Sequence, residues 1–247
     1  TGFDAFIDGH SHSTFSETIK DKSGKEVVFE QTGTKLANVG KIIIKADGTI
    51  THENVDLNTV EPDAEAAAYI QTITDKFDAL QKQVVAKTSV ELTINGADGK
   101  RAVRNAETNL GDLCADAYRI LLGADIAFVN GGGVRDNIKV GDITYGDIIK
   151  VHPFGNEACL VEVTGQQIKD ALELGSAAYP GESGGFLQVS GLTYTINADI
   201  PSSVVKNDKS EFVKVDGAYR VSDIMVGGQP LDVNKTYTLA SHNYMLK

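Results

Sequence analysis

Hydrophobic and polar positions follow three successive patterns along this chain, and each predicts a different kind of structure. Through residue 56 the apolar positions come in short β-type runs, predicting strands at residues 3–7, 27–31, 40–45 and 49–54. Asp47-Gly48 between the last two is a hairpin turn signal, and the polar stretch 20–25 reads as a surface loop. The period then lengthens. Ala66, Ile70, Ile73, Phe77, Leu80 and Val84 are spaced by four and three, which lays one apolar stripe along a helix over residues 63–84. Pro62 suits its first turn, and Asp63 and Glu65 suit the positive end of its dipole. At about 1.5 Å per residue this is a rod of roughly 33 Å. It reads equally as a connector between domains or as an amphipathic helix packed within one.

From residue 89 onward the pattern is mixed. Leu110, Leu113, Cys114, Ala117 and Leu121 mark a helix, with Asn109 as expected N-cap and Gly123 as terminator. The apolar run 126–129 predicts a fully buried strand. A strand over 159–163 leads into a capping-box pattern, Thr164-x-x-Gln167, and a helix ending at Gly175. Strands are expected at 187–196, 219–226 and 237–241. Because strands and helices do not alternate strictly, a mixed sheet with flanking helices, an α/β protein of α+β type, fits better than a doubly wound fold. No internal repeat is present.

Composition narrows the partners. The formal net charge of −11, from 34 acidic and 23 basic side chains, disfavours a binder of nucleic-acid polymers, which needs clustered Lys and Arg. It leaves room for a small anion held by a few cations. No apolar run approaches the roughly 20 residues of a membrane span. The opening Thr-Gly-Phe-Asp lacks the basic region and apolar stretch of a signal peptide, which does not argue for the cytoplasm. Cys114 and Cys159, far apart in apolar contexts, read as buried free thiols rather than a disulfide.

Four constellations could carry chemistry. In Gly-His-Ser-His-Ser at 9–13, His10 and His12 at i and i+2 would face one side if the segment were extended, as metal ligands at a strand end do. By spacing alone the more ordinary reading is an exposed polar turn, and two ligands cannot hold a catalytic metal by themselves. Asn130, Gly131, Gly132, Gly133 and Arg135 follow the buried strand directly. Three glycines admit positive φ and close approach of a ligand to the main chain, and Arg135 could grip a phosphate or a ribose diol; a plain tight turn is the alternative. Phe154, Phe186 and Tyr244 sit in Pro-, Gly- or Asn-containing loops, where an aromatic pair could sandwich a planar base or each ring could plug the core. Arg101 and Arg104 precede a helix N-terminus, which itself favours anions, though solvated surface charge reads as well.

Taken in order, these segments resemble the 5′-nucleotidase family of metallophosphoesterases with a C-terminal nucleotide-binding domain. The matching blocks are GHSHS at 9–13, the QTG…G segment from Gln31 to Gly40, RNAETNLGDLCADA at 104–117 and FVNGGGVRDNIKVGDITYGDIIKVHPFGNE at 128–157. VTGQQIKDALELG at 163–175, GGFLQVSG at 184–191 and YTLASHNYM at 237–245 complete them. The likeness covers essentially the whole chain.

The resemblance implies a remnant of the metallophosphoesterase domain at 1–57, an interdomain linker helix at 58–88 and the substrate-binding domain at 89–247. It implies that His10 and His12 each bind one of two divalent ions, Zn, Mn or similar, in the full-length parent, with none stably bound in this chain. Arg104, Asn130 and Arg135 would hold the sugar and phosphate of a nucleotide or nucleoside beside Gly131–Gly133. Phe154 and Tyr244 would sandwich the base, and Phe186 would be structural. Family metal ligands and a catalytic His–Asp pair are expected upstream of Thr1, on a catalytic domain of the same parent, and a Gly-Gly-Asp-Gly motif downstream of Lys247. The expected function is nucleotide binding within a hydrolase at the cell surface, outside the cell or in the periplasm, with no hydrolysis by this chain alone. The rival is a non-catalytic nucleotide-binding or surface-interaction module on the same fold.

Overall fold

In a computed structural model that describes residues 2–246, the chain divides into two units at residues 76 and 77. In the first, β1 (Ala5–Ile7), β2 (Thr14–Lys20) and β3 (Glu26–Thr32) form a sheet ordered β1-β3-β2, with β1 parallel and β2 antiparallel to β3. β4 (Asn38–Ile44) and β5 (Ile50–Asp56) form the expected hairpin, with Gly48 at φ 85° and the Asp47 carboxylate accepting the Thr49 N–H. Strand β2 is absent from the sequence reading because its side chains, TFSETIK, bury almost nothing. Pairing with β3 makes it a strand, and Asp21, accepting from the N–H groups of Ser23 and Lys25, shapes the turn between them.

Helix α1 (Ala64–Gln81) starts where Asp63 accepts the Ala66 N–H. It is shorter than the helix predicted over 63–84, and none of its residues is buried. A 3₁₀ turn precedes it at Leu57–Thr59, and a strand, not helix, follows at Val84–Thr88.

The second unit contains β6 (Val84–Thr88), α2 (Asn109–Leu122), β7 (Ile126–Asn130), β8 (Gly141–Thr144), α3 (Tyr145–Val151), β9 (Ala158–Thr164) and α4 (Gly165–Ser176). It continues with β10 (Leu187–Ser190), β11 (Leu192–Ile196), β12 (Val204–Lys206), β13 (Phe212–Val215), β14 (Val221–Val226), β15 (Gln229–Pro230) and β16 (Thr236–His242). Its centre is a mixed sheet ordered β10-β7-β16-β9, in which only β7 and β16 run parallel. Strand β7 is buried along its whole length because both faces are covered. Ile126 and Phe128 pack with Ile168 and Leu172 of α4, whereas Val129 packs with Leu110 and Cys114 of α2. The period-2 alternation of a strand thus distributes one apolar run over two cores.

Local chemistry sets the element ends. The N-cap of α2 is Thr108, whose hydroxyl accepts the Gly111 N–H, and not Asn109. Asn109 is instead the first helical residue, and its amide accepts the Thr93 N–H and donates to the Glu91 carbonyl. Gly123 ends α2 at φ 64°, and both halves of the Thr164–Gln167 capping box form. Gly191 at φ 76° splits the strand predicted over 187–196 in two. Short α3, capped by Thr144 and Asp147, carries the chain to the Phe154 loop.

Candidate nucleotide site

At the end of β7, Gly131–Gly133 forms a single 3₁₀ turn. None of these three glycines lies at positive φ, so the conformational freedom expected of them is not what the turn uses. It uses the missing side chains. A Cβ on Gly131 would lie 1.9 Å from the Val103 carbonyl oxygen, and one on Gly132 would lie 2.9 Å from Gly184 Cα. Protein backbone therefore approaches the loop closely on two sides. The Gly131 N–H donates to the Phe186 carbonyl at 2.7 Å, and the Gly132 N–H to the Gly184 carbonyl at 2.9 Å. Nesting against Val103 sets the loop beside the next residue, Arg104.

Arg104 is half-buried, and its guanidinium is pushed below its ordinary range by desolvation, then by the charges of Arg101 and Arg135. Arg101 is neutralised by Glu182, its Nε donating at 2.8 Å. Among the described residues, Arg104 and Arg135 make no ion pair. Arg135 donates to the Gly132 carbonyl at 3.1 Å, and its Cζ lies over the Phe154 ring, 5.7 Å from the centroid. Asn130 donates to the Gly184 carbonyl, while its buried Oδ1 has no hydrogen-bond partner among the described residues. A strongly acidic chain thus concentrates two guanidiniums without ion pairs among the described residues and one orphaned acceptor in one place, an arrangement suited to an anion that also carries hydroxyl donors.

Phe154 and Tyr244 are 58% and 64% exposed, whereas Phe186 is 5% exposed. Rings that large, left in water, lie outside the cores that bury Phe128 and Phe186. Phe154 follows α3, and Tyr244 lies in the turn after β16. The two loops are tied to each other, with the Asn243 N–H donating to the Glu157 carbonyl at 3.0 Å and the Glu157 N–H donating to Asn243 Oδ1 at 3.4 Å. Hence Arg104, Asn130, Gly131–Gly133, Arg135 and Phe154 form one continuous cluster, with Tyr244 on the adjoining loop.

Sequence reasoning passed over three further rings here. Tyr118, His152 and His242 pack behind the loops, and the only local signal was that each histidine precedes an exposed aromatic by two residues. Cys114 is buried and Cys159 half-buried, both free. Burial, then the Asp112 charge, pushes the Cys114 thiol up to about 12, which leaves it protonated and inert.

The histidine loop belongs to the first unit. It is not extended as the i, i+2 argument assumed. His10 and His12 lie at φ 71° and 62°, and the Ser11 N–H donates to the Gly9 carbonyl. Non-glycine residues rarely occupy this region unless their surroundings over-determine it. Buried Gln31 does so here. Its Oε1 accepts from Ser11 Oγ at 2.8 Å and from the Ser13 N–H at 2.6 Å, and its Nε2 donates to Asp8. Both imidazoles are exposed. Among the described residues, no group of three or more His, Cys, Asp or Glu is placed to hold a metal ion. The donor set therefore fits a contribution to a metal centre and does not make a whole one.

A sequence profile described as "5'-nucleotidase, C-terminal domain" matches residues 84–247. The Trifunctional nucleotide phosphoesterase protein YfkN of Bacillus subtilis is 32% identical over 269 residues, covering 98% of this chain and 18% of its own length. A 5'-nucleotidase of Vibrio parahaemolyticus is 42% identical over 118 residues, covering 48% of this chain and 20% of its own. The chain thus spans about a fifth of these relatives. Among solved structures, a 5'-nucleotidase precursor from Thermus thermophilus superposes with a TM-score of 0.72 at 28% identity, covering 99% of this chain and 50% of that one.

Proposed function

Because the chain belongs to the 5′-nucleotidase family and carries its C-terminal domain at residues 84–247, we propose that it is the substrate-binding part of a phosphohydrolase acting on nucleotides. The observation that carries this reading is the pair of guanidiniums, without ion pairs among the described residues, beside exposed Phe154, on a loop bonded to that of Tyr244. The base stacks between Phe154 and Tyr244. Arg104 and Arg135 take the sugar and phosphate, and Asn130 Oδ1 accepts from a ribose hydroxyl. The Gly131–Gly133 turn sets the position of all three by docking on Val103 and Gly184.

His10 and His12 would contribute imidazole nitrogens to a two-metal centre completed by the catalytic domain of the parent chain, with zinc or manganese suiting those donors. Divalent ions bound there would supply charge neutralisation at the phosphoryl oxygens. Gln31 holds the loop that presents both rings. With two candidate ligands, residues 1–247 alone bind nucleotides weakly and hydrolyse none. Incubation with AMP and Mn²⁺ or Zn²⁺ is expected to release no phosphate, and sustained release would overturn this part of the reading. The family assignment favours a location at the cell surface, in the periplasm or outside the cell; among the described residues no helix is long and apolar enough to cross a membrane.

Phe154→Ala tests the slot. Removing one stacked ring is expected to weaken adenosine binding by about 1–3 kcal/mol. Calorimetry giving the wild-type affinity would remove Phe154 from the site. A surface-interaction module would bind neither adenosine nor AMP.

A further inference from the structure

His152 and His242 stand two residues before Phe154 and Tyr244, and a single tyrosine bridges them. His242, the last residue of β16, is 1% exposed, and its ring lies 6.2 Å from that of Tyr244 at an interplanar angle of 28°. Tyr118 of α2 packs 5.7 Å from His242 and 6.4 Å, edge-on, from His152. His152 closes α3, its N–H donating to the Ile148 carbonyl. An open pocket of about 310 Å³ adjoins Tyr118 and His152, lined by Cys114, Leu121 and Asn156 among others.

The hydrogen bonding of His242 is incomplete. Its Nδ1 is buried and has no partner among the described residues. Of titratable groups, Cys114 and Tyr118 of α2 lie on this side, both pushed up by burial and so neutral at ordinary pH, and Cys159 of β9 lies near Tyr118. Strand β7 contributes none, and Glu157 on the adjoining loop is exposed. No carboxylate forms an ion pair with either imidazole among the described residues.

We propose that His242 is a positioning residue for Tyr244, and that the base slot is complete only while His242 is neutral. This rests on the nucleotide-binding reading above. A neutral imidazole can lie nearly parallel to Tyr244 while its own ring is buried. A proton on Nδ1 would create a buried donor without an acceptor and a charge without a counter-ion, facing a second histidine across Tyr118. Cation–π attraction to Tyr118 and Tyr244 opposes this, but it supplies neither an acceptor nor water. The simplest relief is movement of the turn that follows β16, which carries Tyr244 away.

The direction of the pH effect agrees with the geometry. Burial pushes both histidines below the ordinary value of 6.5, and His242 pushes His152 further. The unfolded or opened state therefore takes up protons first. The closed arrangement is fully stable above about 6.5 and loses stability as pH falls below it.

Adenosine is the probe, because it carries no phosphate that titrates in this range. Calorimetry on the full chain is expected to give about tenfold weaker binding near pH 5.5 than near pH 8. His242→Phe keeps a flat neutral ring and loses no hydrogen bond at Nδ1. Whatever its affinity at the higher pH, it should lose less than about twofold on going to the lower, and His242→Asn serves if phenylalanine disturbs folding. Asp112, raised to about 6 by burial and then by Glu107 and Asp116, titrates in the same window but is common to all variants. A wild-type affinity unchanged with pH, or an equal loss in the variant, overturns the proposal and leaves the nucleotide reading standing.

If adenosine does not bind at the higher pH, the nucleotide reading fails instead. The coupling is then read from ¹³C-tyrosine NMR, with Tyr244 assigned through Tyr244→Phe. Its ring signal should move with a midpoint below 6.5 in the wild type and stay still in His242→Phe. A Tyr244 signal constant across the range would refute the coupling by itself.

Discussion

Replacing Arg104 and Arg135 together by alanine is expected to weaken AMP binding by about 3 kcal/mol or more, beyond 100-fold, while changing adenosine binding by less than about 1 kcal/mol. Neither guanidinium makes an ion pair among the described residues, and Arg104 is further disfavoured by Arg101 and Arg135. An incoming phosphate would relieve that repulsion as well as add charge-assisted hydrogen bonds, so the loss should exceed that of an exposed surface cation. Arg101, already bonded to Glu182, is the control. Arg101→Ala should weaken AMP much less. Equal losses for AMP and adenosine in the double variant would show that the arginines support the loop and do not meet a phosphate.

Gly131→Ala should cost about 3 kcal/mol of folding stability, at the upper end for overpacking, because its Cβ would meet a backbone carbonyl that cannot rotate away. The clash of 1.9 Å with Val103 O can be relieved only by separating the loop from the Arg104 segment. AMP affinity should therefore fall with stability. Gly185→Ala is the comparison, since its Cβ would make only an ordinary contact at 3.6 Å with Ser183 Oγ. Urea unfolding at the same midpoint for both variants would contradict the close approach.

Legibility followed locality. The Asp47-Gly48 hairpin, the Thr164–Gln167 capping box and the buried strand β7 could each be read from a few neighbouring residues, because turn chemistry, capping and periodicity act over one or two turns of chain. Strand β2 and helix α3 could not. The first exists through its pairing with β3, and the second has only seven residues, too few to display a period. Asn109 was misplaced by one position because Thr108 and Asn109 are both good caps, and a long-range bond to Thr93 claims Asn109.

The candidate site divides in the same way. The residue types at Arg104, Asn130, Arg135, Phe154 and Tyr244 are legible in the chain, as are His10 and His12. Sequence by itself determined the family, the sign and economy of the charge, and the aromatic chemistry. What only the tertiary structure decided is the reason for the three glycines, the burial of Phe186 against the exposure of Phe154, the left-handed histidine loop held by Gln31, and the histidine pair behind the slot. These depend on contacts between segments 20 or more residues apart: Gly131 with Val103, Gln31 with Ser11, Tyr118 with His152 and His242. Excluded volume and desolvation arise from whichever atoms packing brings together, and no local pattern in the chain encodes them.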